Sequence, residues 1–189
     1  MPRPEPLSGG RLRLGEAQPT DTDAVLTVER AAFGRDDEAD LVRELLSDLS
    51  ARPLLSLLAR EDDRPVGHIL FSAARLDGAP DAGPIAILAP LAVVPDAQRR
   101  GVGGALVERG LQQLGDSGVG LVFVLGHPSY YPRHGFRPAG PLGFDPPFTI
   151  PDEAADAWMV QGLRADVVDT HAGTVVCADS MNRPEHWRE

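Results

Sequence analysis

Apolar residues recur along this chain at two different spacings, which divide the sequence into short helices and strands. Helical spacing predicts two consecutive helices, over residues 24–33 and 38–49, and Gly34 marks the break between them. Apolar runs bounded by turn residues instead predict strands, over residues 11–14, 54–60, 65–73, 85–94 and 120–126.

The second half of the chain continues the same alternation. A further helix is predicted over residues 101–114, between the last two of these strands, and a short helix or turn over 129–133. Two more apolar runs, at 157–163 and 173–178, predict strands that we expect to close the structure as a hairpin. Because strands and helices alternate, we expect an α/β fold built on a mixed sheet.

The composition is that of a globular protein. The chain has 189 residues, of which 42% are hydrophobic and 24% charged, which predicts one domain over residues 1–189. We place its core at about residues 11–140 and the C-terminal strands and tail at 141–189. The sequence contains neither an apolar leader nor an apolar run long enough to cross a membrane, so we expect a soluble, cytoplasmic protein.

The charge and the cysteine content narrow the classes of partner. A formal net charge of −10 argues against a nucleic-acid partner, which would require a basic face. An acidic surface can favour a cationic amine or can serve solubility alone, and both interpretations stay open. Cys177 is the only cysteine, which excludes an internal disulfide and a cysteine metal cluster. We therefore expect no metal and a buried, apolar role for this side chain.

The most informative segment follows the apolar strand at residues 85–94. A polar, arginine-bearing turn and three glycines lead directly into the helix predicted at residue 101. Glycine lets the backbone approach a ligand closely, and the first turn of a helix presents unpaired N–H groups and the positive end of its dipole. With arginine charge beside them, these groups predict a site for a pyrophosphate-like anion, formed by Gln98, Arg99, Arg100, Gly101, Val102, Gly103, Gly104 and Ala105.

Two common anion-binding loops do not fit these residues. A Walker-type loop requires Gly-Lys-Ser/Thr, whereas Ala105 follows the glycines here and the chain contains no lysine. The dinucleotide fingerprint G-x-G-x-x-G requires a glycine where this chain has Leu106. The anion site therefore belongs to another class.

Residues 98–103 resemble the Q/R-x-x-G-x-G/A signature of the GNAT superfamily of acyl-CoA-dependent N-acyltransferases. Residues 130–138, Tyr-Tyr-Pro-Arg-His-Gly-Phe-Arg-Pro, resemble the later Y-x-x-x-G-F segment of that family, in the family order. Residues 32–34, 67–71 and 125–128 are similar to its small bacterial branch, often labelled YhbS-like. The resemblance implies a central, mostly antiparallel sheet with splayed strands, flanked by helices, and acetyl-CoA as the co-substrate.

The resemblance also implies where the coenzyme lies. The family splays its fourth and fifth strands, and Pro90, which donates no ladder hydrogen bond, marks an opened edge or an irregular strand end at that point. Backbone groups near Leu91, Ala92 and Val93 would bind the pantetheine arm, and an N–H near Leu91 or Ala92 would polarise the acetyl carbonyl. The later motif adds three expected coenzyme-binding residues, Tyr130, Tyr131 and Arg133.

Acetyl transfer from a thioester to an amine requires a base for the ammonium, donors for the oxyanion and an acid for the departing sulfur. The resemblance assigns the acid to Tyr131, although either Tyr131 or Tyr130 can instead pack beneath the coenzyme. Many members place a glutamate on the strand before the loop, but residues 85–94 contain no ionisable side chain. The base is therefore left between His68, His127 and a chain of water molecules.

The family forms its acceptor pocket at the break between the first two helices. There we expect Phe33, with Glu29 and Glu38 either binding a cationic amine or standing as ordinary solvated helix charges. We also count His127 among the acceptor-binding residues. The final residues, 181–189, are either a docking arm or a frayed end, and a homodimer is left open.

Two functions are consistent with these features. The first is transfer of an acetyl group from acetyl-CoA to a primary amine, of a small molecule or a protein, by direct attack in a ternary complex. The second is an acyl-CoA-binding or sensing module with weak catalysis. The missing strand carboxylate favours the second slightly, whereas Tyr131 and the intact loop favour the first more strongly. In both, the expected partners exclude nucleic acid and membrane, and the sequence does not identify the acceptor.

Overall fold

The computed structural model describes residues 11–165 and 167–187. Residues 1–10, for which we expected no apolar leader, lie outside the described residues. Residues 188–189 of the tail lie outside them as well. The helices are α1 (Thr22–Phe33), α2 (Asp37–Ser47), α3 (Val102–Asp116) and the short α4 (Val167–Thr170). The strands are β1 (Leu12–Glu16), β2 (Leu55–Glu61), β3 (Arg64–Leu76), β4 (Ile85–Val93), β5 (Leu121–Leu125), β6 (Arg137–Pro138), β7 (Phe144–Asp145), β8 (Trp158–Gly162) and β9 (Gly173–Val176).

The main sheet runs in the order β1-β2-β3-β4-β5-β8-β6. All of its neighbouring strands pair antiparallel except β4 and β5, which are parallel. Parallel neighbours require a crossover connection, and α3 supplies it between these two strands. The sheet is therefore mixed but mostly antiparallel, as expected.

Helices cover both faces of this sheet. Gly67 faces α3, since a Cβ atom at this position would lie 2.9 Å from Val102 and 3.0 Å from Leu106. The next residue, His68, points to the opposite face and contacts Glu29 of α1. Between the helices, the central strands are buried on both sides, which explains their nearly continuous apolar runs.

The C-terminal part differs from the prediction. The strands expected at 157–163 and 173–178 do not form a hairpin: β8 pairs with β5 and β6, whereas β9 pairs with β3 and β7. β3 also extends three residues beyond the predicted end at Ala73, because its last residues, Arg75 and Leu76, pair with β9. These are contacts between segments far apart in the chain, which local spacing does not encode.

Burial agrees with the expectation for Cys177. Its side chain is buried, and this burial raises the pKa of the thiol to about 12. A membrane-spanning segment is not found among the helices of the described residues, none of which is both long and apolar enough.

Close packing of α3 against β3 generates a stability prediction. A Cβ atom at Gly110 would lie 2.2 Å from Cε2 of the buried Phe71, so Gly110→Ala overpacks the core. We expect it to lower the free energy of unfolding by about 1–3 kcal/mol, measured by urea denaturation.

Gly115 of the same helix is the matched control. No atom lies within 4 Å of a Cβ at this position, so Gly115→Ala gains helix propensity without a clash. The expected change is a stabilisation of at most about 1 kcal/mol. Equal effects of the two substitutions would contradict the packing described here.

Candidate active site

The pairing between β4 and β5 stops part-way along β4. The ladder runs from Ile85–Leu121 to Leu88–Val124, and β4 continues beyond it to Val93. Over this continuation β4 keeps its pairing with β3, from Ile69–Leu91 to Gly67–Val93. The edge of β4 that faced β5 is therefore open after Leu88, which confirms the splayed strands expected at Pro90.

The glycine turn lies at the end of this open edge. After β4, the chain makes a short helical turn, Pro95–Ala97, and α3 begins after Gly101. Gly101 has φ of 88°, where a side chain is disfavoured even though space is free around its Cα atom. The Gln98 side-chain amide donates to the carbonyl oxygen of Val93 at 2.9 Å, which ties the turn to the end of the strand. The first turn of α3 thus follows directly after the end of the open edge.

The two arginines of the turn are in different electrostatic states. Arg100 pairs with Glu61 of β2 at 2.8 Å, so its charge is largely balanced within the fold. Arg99 is exposed, has φ of 58°, and forms no ion pair with any described residue. The sequence treated the two as equivalent, whereas in the structure Arg100 shares its charge with Glu61 and Arg99 does not.

The two tyrosines are also in different places. The Tyr130 hydroxyl lies against α3, 2.8 Å from the position of a Cβ atom at Gly103, and the Arg133 guanidinium lies 4.8 Å from the centre of its ring. Burial raises the pKa of Tyr130. Tyr131 is buried and packs closely on Gly126, where a Cβ atom would lie 2.4 Å from its ring.

A cavity of about 400 Å³ opens beside the splayed strands. Its walls come from the α1–α2 break, from β4 and β5 with the turn that follows β5, and from the C-terminal residues. This volume suits a small organic group. Its lining includes Phe33, Glu38, Leu91, His127, Tyr131 and His186.

Of the four expected acceptor-binding residues, Phe33, Glu38 and His127 lie in the wall of this cavity and Glu29 does not. Glu38 pairs with Arg35 at 2.6 Å, so part of its charge is balanced at the rim. Glu29 is fully buried on the inner face of α1, which corrects both interpretations offered for it, a solvated charge and a group facing the acceptor.

The buried partner of Glu29 is His68. Its Nδ1 lies 2.5 Å from Oε1 of Glu29, and its Nε2 lies 2.9 Å from Oγ of Ser56. Burial raises the pKa of Glu29, while the hydrogen bond to His68 acts in the opposite direction. Both imidazole nitrogens are thus occupied, and His68 is not part of the cavity wall. These contacts weaken the case for His68 as the base.

The C-terminal segment, residues 178–187, which we call the strap, is packed against the rest of the fold. Trp187 is buried, donates from its indole nitrogen to the Met181 carbonyl at 3.0 Å, and packs edge-on against Trp158. A lone tryptophan in a polar tail was the only sequence signal for it. At least up to residue 187, the tail is a docked arm and not a frayed end.

Asp48, at the C-terminal end of α2, fastens the strap. One carboxylate oxygen accepts from the backbone nitrogen and the hydroxyl of Ser180, at 2.9 and 2.6 Å. The other accepts from the backbone nitrogen and the hydroxyl of Ser50, at 2.8 and 2.6 Å. These hydrogen bonds hold the pKa of Asp48 far below its ordinary value.

With this geometry described, comparison with known proteins assigns the family. Residues 22–136 match the model of the Acetyltransferase (GNAT) family. This chain belongs to the GNAT family. It is 50% identical over 161 residues to the uncharacterised N-acetyltransferase YjhQ of Escherichia coli (strain K12), covering 85% of this chain and 88% of that protein. It is also 34% identical over 120 residues, 63% of this chain, to the uncharacterised N-acetyltransferase YhbS of the same strain, 70% of which is covered.

Solved structures of the GNAT family share its fold. The crystal structure of YhbS from Escherichia coli in complex with CoA matches with a TM-score of 0.81 and 27% identity, covering 96% of both chains. A GNAT family acetyltransferase from Brucella melitensis in complex with acetyl-CoA matches with a TM-score of 0.72 and 26% identity, covering 91% of this chain and 99% of that one. The expected family and fold class are confirmed.

The Asp48 contacts predict a pH-dependent contribution to stability. Because folding lowers the pKa of this carboxyl, its contribution is present above the unfolded pKa of about 4 and is lost as the pH falls below it. We expect Asp48→Asn to lower the free energy of unfolding by about 1–3 kcal/mol at pH 7 and by less at pH 3.

Urea denaturation of the two proteins at both pH values measures this difference. Asp116→Asn is the control, since Asp116 is exposed at the end of α3 and should change stability by no more than about 0.5 kcal/mol. A difference between wild type and Asp48→Asn that does not shrink at acid pH would contradict the role of the carboxylate.

Proposed function

We propose that this protein is an acetyl-CoA-dependent N-acetyltransferase that acts as a single domain on a primary amine of a small molecule or a protein. The observation that carries the proposal is the continuity of the site. The open edge of β4 ends at the glycine-bearing start of α3, and the cavity lined by Tyr131 adjoins that edge. The acyl donor is an extended thioester with an anionic end, and the acceptor must lie beside its acyl group. The open edge, the helix start and the cavity are arranged in the order that this pair of substrates requires.

Coenzyme A suits the residues along that path. The unpaired N–H groups of the first turn of α3, together with the free charge of Arg99, would bind its pyrophosphate. The open backbone around Leu91, Ala92 and Val93 would bind the pantetheine arm by strand-like hydrogen bonds. Tyr130, with Arg133 above its ring, supports the first turn of α3 from below at Gly103.

The proposed reaction joins the two substrates directly in a ternary complex. The amine nitrogen attacks the thioester carbonyl, forming the C–N bond as the C–S bond breaks, and an amide and a thiol are produced. A backbone N–H near Leu91 or Ala92 would stabilise the developing oxyanion. Tyr131, in the cavity wall, would give its phenolic proton to the departing thiolate.

The alternative is an acyl-CoA-binding or sensing module without useful catalysis. The observation that favours it is the absence of an ionisable side chain from β4, the strand that adjoins the reaction centre. Both functions require coenzyme binding, and only the enzyme releases a thiol when an amine is added. Turnover therefore separates them.

Calorimetric titration with acetyl-CoA and with CoA tests the coenzyme site. We expect both ligands to bind. Arg99→Ala should lower the affinity for each by about tenfold, because it removes an unbalanced charge beside the pyrophosphate. Arg100→Ala should lower the two affinities less, since Glu61 already pairs with Arg100.

Arg109→Ala is the control, because Arg109 is exposed on α3, two turns beyond the loop. It should leave both affinities unchanged. If wild type bound neither ligand, the proposal would fail, and the glycine turn would have a purely architectural role.

Removing the phenolic hydroxyl tests the acid. Tyr131→Phe keeps the ring that packs on Gly126, so the fold and the affinity for acetyl-CoA should be retained. We expect the turnover number for an amine to fall by about 100-fold, measured by thiol release. Tyr130→Phe is the matched control and should retain most of the turnover. An unchanged rate in Tyr131→Phe removes this residue from the mechanism.

A further inference from the structure

The C-terminal strap spans two sides of the cavity. Near its start, Ser180 is fastened to Asp48 at the end of α2, through its backbone nitrogen at 2.9 Å and its hydroxyl at 2.6 Å. At its end, Trp187 packs edge-on against Trp158, with 5.7 Å between the ring centres. Trp158 is the first residue of β8 and pairs with Leu125, the last residue of β5. The strap therefore runs from the helix that follows the α1–α2 break to the strand that neighbours β5.

The chain between these two anchors forms part of the cavity wall. Met181, Glu185, His186 and Trp187 of the strap are among the lining residues. The remaining walls come from the α1–α2 break, from β4 and β5, and from the turn that follows β5. Because the strap connects α2 to β8, it bounds the cavity on the side that lies between these two elements.

Side-chain contacts hold the strap against α2 and the turn that follows it. Ser50, which Asp48 also holds, accepts at its hydroxyl from the backbone nitrogen of Asp179 at 2.8 Å. Further along the strap, Arg183 pairs with Glu44 at 2.9 Å. These five residues lie outside the cavity lining, so they influence an acceptor only through the position of the strap.

A wall of this kind limits the size of the acceptor. The amino group of a protein carries a polypeptide chain, which must leave the site through an open groove beside the reacting nitrogen. A small amine carries no such chain and can be enclosed. The cavity volume of about 400 Å³ lies in the range of sites that bury small molecules.

We infer that the strap makes this protein selective for small-molecule amines over the amino groups of proteins, and that Asp48 is the positioning residue for this selectivity. This inference rests on the proposed acetyl transfer. The contacts that fasten the strap involve α2, the turn after it and β8, and not residues 91–105 or 130–133. Loosening the strap should therefore change recognition of the acceptor and leave coenzyme binding intact.

The selectivity is tested with acetyl-CoA as the donor and thiol release as the readout. The small acceptors are phenethylamine, benzylamine and spermidine. The large ones are an alanine peptide with a free N-terminus and a peptide with a blocked N-terminus and one lysine. In wild type, kcat/KM for the best small amine should exceed that for either peptide by about 100-fold.

Asp48→Asn loosens the strap, because the amide nitrogen of asparagine cannot accept a hydrogen bond. In either orientation of the amide, Ser180 or Ser50 loses its acceptor. We expect the KM for the best small amine to rise by about tenfold, and the preference over the peptides to fall by a similar factor. Calorimetry should show an unchanged affinity for acetyl-CoA. A merely structural role would lower the rates with all amines equally and leave both KM and the preference unchanged.

Ser180→Ala is a milder variant, since the backbone nitrogen of this residue still donates to Asp48. It should shift the preference in the same direction by a smaller factor, and it keeps the test valid if Asp48→Asn does not fold. Asn182→Ala is the control, because Asn182 is exposed on the strap and lies outside the cavity lining. It should keep the wild-type preference and KM.

Two results would overturn the inference. One is a wild type that acetylates either peptide about as efficiently as the best small amine. The other is an unchanged preference in both Asp48→Asn and Ser180→Ala. If wild type binds acetyl-CoA but acetylates none of the small amines or peptides, the proposed function itself fails.

Discussion

The site depends on one constraint, the point at which two parallel strands stop pairing. The β4–β5 ladder ends at Leu88–Val124, and α3 follows β4 through a glycine at positive φ. One break in hydrogen bonding therefore produces an open strand edge, a cavity beside it and a helix start beyond it. Each of these features supplies a different part of the acyl-CoA site proposed above.

The two sequence motifs are connected by packing. Gly103, in the first motif, leaves space for the Tyr130 hydroxyl of the second, and Gly104 faces the ring of His134. Gly126 does the same for the ring of Tyr131. Glycine at these positions thus determines where the aromatic segment lies, as well as letting a ligand approach. Substitution of Gly103 would move Tyr130 as well as the helix start, so its effect on coenzyme binding has two physical causes.

The family, the mixed sheet, the splayed strands and the glycine turn before α3 could be predicted from the sequence, because each has a local signal in apolar spacing or glycine placement. What could not be predicted depends on distant contacts, such as the pairing of β9 with β3 and the fastening of Ser180 by Asp48. Glu29 is an instructive case. It follows Val25 by four residues, on the apolar face of α1, so helical spacing already indicated burial. Only the position of His68 on β3 identified its partner.

The groups proposed for the coenzyme and those proposed for the acceptor come from different parts of the chain. The groups that we propose for coenzyme binding come from residues 91–105 and 130–133, where backbone geometry and glycine dictate the arrangement. The cavity that we propose for the acceptor is lined by the α1–α2 break and by the strap, whose position depends on side-chain contacts of Asp48, Glu44 and Trp187. Side-chain contacts can change without disturbing the β4–α3–β5 unit. The α1–α2 break and the strap can therefore vary while the proposed coenzyme site stays the same.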